Sequence, residues 1–243
     1  MKRASSHTWG TTVSGLITSR DNEKLKLVRK LATRREREKT GLFVGEGEDI
    51  VDAARAAGVA PVEVLVAGEN VEARLLADVS RLGHPPRVIA IFRRSDLPRR
   101  VSAGVGLALW RVADPGNVGT LIRTADALGP SFVALSDGCA DPTGPKAVRA
   151  SMGAVFRVPL LAFDDAPRPW VALVPRGGEP LATLGAGTYV LGAEREGLPD
   201  DVLTRCDARA TIPLAGGAES LNVAAAGAIA LYEGKRVRPR LWV

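Results

Sequence analysis

Three short clusters of glycine and small polar residues punctuate the second half of this chain, each placed where an apolar run stops. They are Asn117-Val118-Gly119-Thr120-Leu121-Ile122-Arg123-Thr124-Ala125, Gly192-Ala193-Glu194-Arg195-Glu196-Gly197-Leu198, and Ile212-Pro213-Leu214-Ala215-Gly216-Gly217-Ala218-Glu219-Ser220-Leu221-Asn222-Val223. The first and third run on into alanine-rich helical sequence. Apolar strand, polar-glycine loop and helix in alternation make a mainly parallel sheet covered on both faces. In such a sheet ligands bind outside the carboxyl ends of the strands. The three clusters are therefore expected to converge on one edge.

The remaining periodicity divides the chain. Strand patterns fall at Val105–Val112, Phe132–Leu135, Phe156–Leu160, Val171–Val174, Tyr189–Leu191 and Thr211–Leu214, with helices at Val118–Leu128, Pro145–Met152 and Leu221–Tyr232. Ahead of them lies a smaller α/β unit, with strands at Leu42–Val44, Val62–Val66 and Val88–Phe92 and helices at Asp49–Ala57 and Val71–Leu82. An amphipathic helix opens it from Asp21, with Leu25, Val28, Leu31 and Ala32 on one face. Arg93–Ala103 is charged, contains Pro98 and has no apolar period, so it reads as a linker. The expected organisation is a mobile lead-in over 1–18, a small unit over 19–98 and a larger one over 99–243.

Composition narrows the class. Aromatic residues make up 5% of the chain while small aliphatic residues abound, which favours close-packed α/β layers over a β-sandwich. The formal net charge of +6 leans toward a polyanionic partner. Between Arg20 and Lys39 there are nine Lys or Arg against four Asp or Glu. That excess fits either a solvated helix face or a phosphate-contacting one. Cys139 and Cys206, the only cysteines, and His7 and His84, the only histidines, show no metal-ligand spacing, so no metal is expected. No secretory apolar core and no stretch long enough to span a membrane is visible, which points to a cytoplasmic chain.

Each cluster has a structural and a chemical reading. Asp114-Pro115-Gly116-Asn117 is a strand-to-helix turn in which Asn117 can cap the helix. That turn does not account for Arg123, a cation among Leu121, Ile122, Ala125 and Leu128, which suggests an anion nearby. Gly192 allows either a tight strand-end turn or close backbone approach to a flat ligand, and Glu194 can accept loop hydrogen bonds or pair with a basic residue. Ser220 is a candidate N-cap for the last helix, while Gly216 and Gly217 leave backbone groups open to an adenine edge. Lys146 and Arg149 share a helical face suited to a phosphate, or are ordinary surface charges. No Gly-x-Gly-x-x-Gly follows Val105–Val112, which disfavours a dinucleotide site and the glycine-loop methyltransferase fold.

In order and spacing these clusters, with Asp141–Ala154, resemble the SpoU (TrmH-like) branch of the SPOUT RNA methyltransferases. The resemblance implies a C-terminal SPOUT domain with a parallel sheet and a trefoil knot, working as a homodimer. It implies S-adenosyl-L-methionine as cofactor and transfer of its methyl group to an RNA ribose 2′-hydroxyl. By the same resemblance Asn117 and Arg123 form the most characteristic pair, with Glu194, Ser220 and Asn222 at the catalytic centre. Leu191, Gly192, Ile212, Leu214 and Leu221 border the cofactor, Leu214 standing where many relatives have Met. The family's Arg is often described as a general base. A guanidinium keeps its proton, so Arg123 reads better as an electrostatic stabiliser of the forming alkoxide.

Asn22, Lys24, Arg35, Phe43, Val44, Glu46 and Gly47 resemble more loosely the substrate-binding domain of such enzymes. This implies a small N-terminal α/β RNA-binding domain, with Lys26, Arg29, Lys30 and Arg35 as phosphate contacts beside Lys146 and Arg149. Ribosomal RNA is expected ahead of transfer RNA, in a housekeeping or an antibiotic-resistance role. A non-catalytic ribosome-assembly factor on the same fold is the alternative class, which intact Arg123, Glu194, Ser220 and Asn222 disfavour.

Overall fold

The computed structural model describes residues 15–81, 85–101, 104–216 and 219–236. His7, His84, Gly217 and most of the expected lead-in lie outside the described residues. The chain divides into two compact units, Met1–Asp96 and Leu97–Val243.

In the first unit α1 (Glu23–Lys30) and α2 (Arg34–Thr40) precede β1 (Leu42–Glu46), α3 (Glu48–Ala56), β2 (Glu63–Val66), α4 (Ala73–Val79) and β3 (Val88–Arg93). The three strands form an antiparallel sheet in the order β1-β3-β2. Leu25, Val28 and Leu31 of the amphipathic segment pack with Leu65, Leu75, Leu76, Val79, Ile89 and Ile91 in its core. The continuous helical pattern expected after Asp21 is in fact two helices. Asn22 caps the first and the Thr33 side chain caps the second, accepting from the Glu36 N–H. Arg37 makes the break possible: it is 5% exposed and donates to the carbonyls of Leu31 and Ala32 at 2.9 and 3.0 Å. The expected lead-in over 1–18 is also too long, because Ile17 bridges Val71 and exchanges backbone hydrogen bonds with Asn70 and Glu72.

The second unit contains β4 (Gly106–Leu109), α5 (Pro115–Ala127), β5 (Val133–Leu135), α6 (Pro145–Ser151), β6 (Leu160–Ala162), β7 (Trp170–Leu173), β8 (Glu179–Pro180), β9 (Thr188–Leu191), α7 (Asp200–Leu203), β10 (Ala208–Thr211) and α8 (Val223–Arg236). Its seven strands form one parallel sheet in the order β6-β5-β4-β9-β7-β10-β8. Side chains alternate across the sheet, as strand geometry requires. Leu107 and Leu109 join the core beneath α5 and α8, and Ala108 joins Phe132, Phe163, Trp170 and Val202 on the other face. Two glycines bring α5 close to its neighbours. A Cβ on Gly119 would lie 2.5 Å from the Ala147 carbonyl oxygen of α6, and one on Gly227 of α8 would lie 2.3 Å from Leu121 Cδ2.

Several expected boundaries shift, each for a local reason. The strand expected at Phe156–Leu160 is a 3₁₀ turn at Ala154–Phe156, entered through Gly153 at φ 81°, and β6 forms only after Pro159. The strand expected at Thr211–Leu214 is β10, which ends at Thr211 because Pro213 has no N–H to donate to a ladder. The segment expected as linker is not free at its end, since Leu97 is buried and the Pro98 carbonyl accepts the Leu160 N–H at 3.1 Å. The short β8 and α7 carry too few residues for a readable period. No described helix is long and apolar enough to cross a membrane.

Candidate active site

Because the large sheet is parallel, every strand delivers its following loop to one edge. The chain runs from β4 to β5 and β6 on one side, while β9, β7 and β10 lie on the other, so β4 and β9 flank the topological switch point. The first cluster leaves β4 there, and the second leaves β9. Asp114, rather than the expected Asn117, caps α5: its carboxylate accepts the N–H groups of Gly116 and Asn117 at 2.6 and 3.0 Å. Pro115 occupies the first helical turn, where its missing N–H costs nothing. The Asp114 cap leaves the Asn117 side chain available for longer-range contacts.

Asn117 uses that freedom to join all three clusters. Its Nδ2 donates to Glu194 Oε1 at 3.0 Å, and its Oδ1 accepts from Asn222 Nδ2 at 3.2 Å. Glu194 also accepts the backbone N–H groups of Ala113 and Asp114, both at 3.3 Å. Partial burial pushes the Glu194 carboxyl up, but these hydrogen bonds, led by that from Asn117, outweigh it and hold the group below its ordinary value. Asp114 is lowered as well, by its cap bond from Asn117 foremost and with help from Lys146, whose Nζ lies 3.3 Å away. Asn222 is the cap of α8, accepting from the Ala224 N–H at 2.8 Å. The expected cap, Ser220, lies two residues earlier, exposed and without a hydrogen bond among the described residues.

Arg123 is not in this network. Leu121, Ile122 and Ala125 are buried, whereas Thr120, Arg123 and Ala127 take the exposed face of α5. The embedded cation expected from the apolar neighbours is therefore corrected: helical period turns Arg123 outward. It makes no hydrogen bond or ion pair with a described residue.

The cofactor candidates separate into two kinds. Gly192 is required by the protein itself, since a Cβ there would lie 2.2 Å from Gly197 C and 2.5 Å from Leu198 N. Ala193 and Gly197 close that turn with paired backbone hydrogen bonds at 3.1 and 3.0 Å. A larger residue at 192 would strike its own loop first, as the tight strand-end turn of the two readings requires. Leu191 is buried and its carbonyl accepts the Trp110 N–H at 2.8 Å. After β10 the chain is open: Ile212 and Leu214 are half-buried, Leu221 is 39% exposed, and residues 212–216 make no backbone hydrogen bond with another described residue. Apolar side chains beside backbone groups that bond no other described residue fit the faces and edge of an adenine. No group of three or more His, Cys, Asp or Glu side chains suited to a metal occurs among the described residues.

The basic candidates are more self-contained than the sequence suggests. Lys26 pairs with Glu23 at 3.0 Å, Arg29 donates to the Arg20 carbonyl, and Lys146 pairs with Asp114. Lys30 and Arg35 are exposed and make no contact of this kind with described residues. Arg149 is exposed on α6, next to the Lys146 turn.

Comparison with known proteins decides the family. The SpoU rRNA Methylase family model matches residues 104–232, and an MRM3-like substrate binding domain model matches residues 22–90. The chain belongs to the SpoU rRNA methylase family. It is 31% identical to the 23S rRNA (guanosine(2553)-2′-O)-methyltransferase RlmP of Bacillus subtilis, over 89% of this chain and 97% of that one. It resembles the crystal structure of an AdoMet-bound rRNA methyltransferase from Sinorhizobium meliloti, with a TM-score of 0.80 and 30% identity over 91% of this chain and 97% of that one. The SpoU methyltransferase AviRb of Streptomyces viridochromogenes in complex with AdoMet is similar at a TM-score of 0.78 and 26% identity, over 90% of this chain and all (100%) of that one. The SpoU match spans every candidate residue of the carboxyl edge.

Proposed function

We propose that the carboxyl edge of the second unit transfers a methyl group from S-adenosyl-L-methionine to a ribose 2′-hydroxyl of ribosomal RNA. The observation that carries this reading is the Glu194–Asn117–Asn222 network, which ties three loops together at the switch point. Ile212, Leu214 and Leu221, with the open backbone of 212–216, hold the cofactor, whose sulfonium supplies an activated methyl when bound. Glu194 stays ionised and neutralises backbone donors of the β4 loop, so the edge keeps one shape through the reaction. Asn117 and Asn222 orient the helices that carry the reacting groups. Arg123, exposed and with no ion pair to a described residue, stabilises the alkoxide that forms as the hydroxyl attacks, while the proton leaves to water or to an RNA phosphate.

The relatives named for 23S rRNA support ribosomal RNA ahead of transfer RNA, and with it a cytoplasmic location. Ala225, Ile229 and Tyr232 recur at helical spacing on α8, and the last two are 37% and 55% exposed; this stripe supports a homodimer. The segment after β10 returns across β7 and β9 to reach Asn117, which supports the trefoil knot. Of the candidate cations Lys26, Arg29, Lys30 and Arg35, the side chains of the last two make no hydrogen bond or ion pair with a described residue and are left for RNA. Calorimetry with S-adenosyl-L-methionine, followed by mapping of ribose methylation in ribosomal RNA with and without the chain, tests the proposal. A well-folded chain that binds no cofactor and adds no methyl group would overturn it.

A further inference from the structure

Arg111 stands two residues past the end of β4, at φ 53°. This left-handed conformation suits glycine and strains a residue with a Cβ, so an arginine held there points to a use for its side chain. The surroundings hold it firmly. Its N–H donates to Ser136 Oγ at 2.9 Å, and that hydroxyl donates to the Asp137 carbonyl at 3.0 Å. Its stem lies over Gly138, where an added Cβ would meet Arg111 Cγ at 3.2 Å and Nε at 3.4 Å. The exposed guanidinium makes no ion pair or hydrogen bond with a described residue, although Asp137 is close in the chain to its anchor.

The sheet order says what such a group faces. Arg111 leans from β4 toward the loop after β5, the side that also carries Lys146 and Arg149 of α6. The apolar, open-backbone loop after β10 leaves the sheet on the opposite side of β4. The carboxyl edge thus has a charged half, where Arg111, Lys146 and Arg149 stand with Asp114 and Asp137, and an apolar half. Resting on the function proposed above, we propose that Arg111 is a substrate-positioning residue that grips a backbone phosphate of the RNA strand beside the reacting ribose. A planar guanidinium fork matches a phosphodiester, and its fixed stem sets the strand's register.

Three variants separate charge from backbone. Arg111→Gly and Arg111→Asn both accept the left-handed conformation, and Arg111→Lys keeps a charge. The full chain and each variant are compared by thermal unfolding, by calorimetry with S-adenosyl-L-methionine, and by binding and single-turnover methylation of a 23S rRNA transcript at several salt concentrations. Arg111→Gly and Arg111→Asn should unfold no earlier than the unaltered chain and keep cofactor affinity. They should bind RNA about tenfold more weakly. Their dependence of log affinity on log salt should be shallower by about 0.7–0.9, as for one lost phosphate contact, while Arg111→Lys retains the slope. Unchanged RNA affinity and slope, or a loss confined to cofactor binding, would overturn the inference while leaving the methyltransferase reading intact. An unaltered chain that methylates no ribosomal RNA would bring down both.

Discussion

The two units spend their polar groups differently. In the first, charges mostly satisfy one another or nearby backbone: Arg20 with Asp78, Lys24 with Glu63, Lys26 with Glu23, Arg34 with Glu38. In the second, the polar groups of the carboxyl edge reach across the chain, from Glu194 back to Ala113 over 81 positions and from Asn222 to Asn117 over 105. Ion pairs between surface side chains, near or far in sequence, contribute little stability and little geometry. Long-range bonds between loops fix where those loops stand. On the proposed function, the contrast puts the chemistry in the second unit and leaves the first a docking role with few uncommitted charges.

Substitutions can break that contrast. The largest effect should come from Arg123→Ala, which should slow single-turnover methyl transfer about a hundredfold to a thousandfold while cofactor affinity holds. A near-normal rate would remove Arg123 from the chemistry. Gly192→Ala should cost about 1–3 kcal/mol in denaturant unfolding, because the new methyl strikes the Gly197–Leu198 backbone. Next, Asn222→Ala should cost about 1 kcal/mol through the lost α8 cap, whereas Ser220→Ala should leave stability unchanged. Equal losses in the two would restore Ser220 as the cap.

Glu194 sharpens the comparison through pH. Its folded value is lowered, so its contribution is present in full above the ordinary carboxylate value of 4.5 and is lost as pH falls through the lowered one. Unfolding curves of the unaltered chain and Glu194→Gln should therefore differ at neutral pH and converge in acid. The smallest effect belongs to the first unit. Reversal of Lys30 and Arg35 to Glu should weaken RNA binding and flatten its salt dependence, while Lys26→Ala should change stability by no more than about 0.5 kcal/mol.

Much of this architecture is legible in the residue pattern. The apolar runs locate all three strands of the small antiparallel sheet and the parallel strands that flank the switch point, because a strand buried on both faces is continuously apolar in either kind of sheet. The pattern sets β10 three residues too late, since Ala208-Arg209-Ala210-Thr211 has no apolar run and is held in the sheet by β7 and β8. Cap identities are harder to read, as Asp114 and Asn117, or Ser220 and Asn222, are equally good cap residues one turn or less apart. Only the distant partner of Asn117 decides between them. Arg111 leaves no trace in the sequence because its meaning lies in a backbone angle.

Gly119 and Gly227 have a further effect. With α6 backbone against one side of α5 and Leu121 seated in α8 on the other, this helix cannot roll or slide without collision. Asn117 and Arg123 ride on that clamped rod, so the main-chain points from which their side chains start are set by close backbone packing. Adaptation to a different nucleotide must then come from the loops that overhang the rod, since the rod itself has no room to adjust.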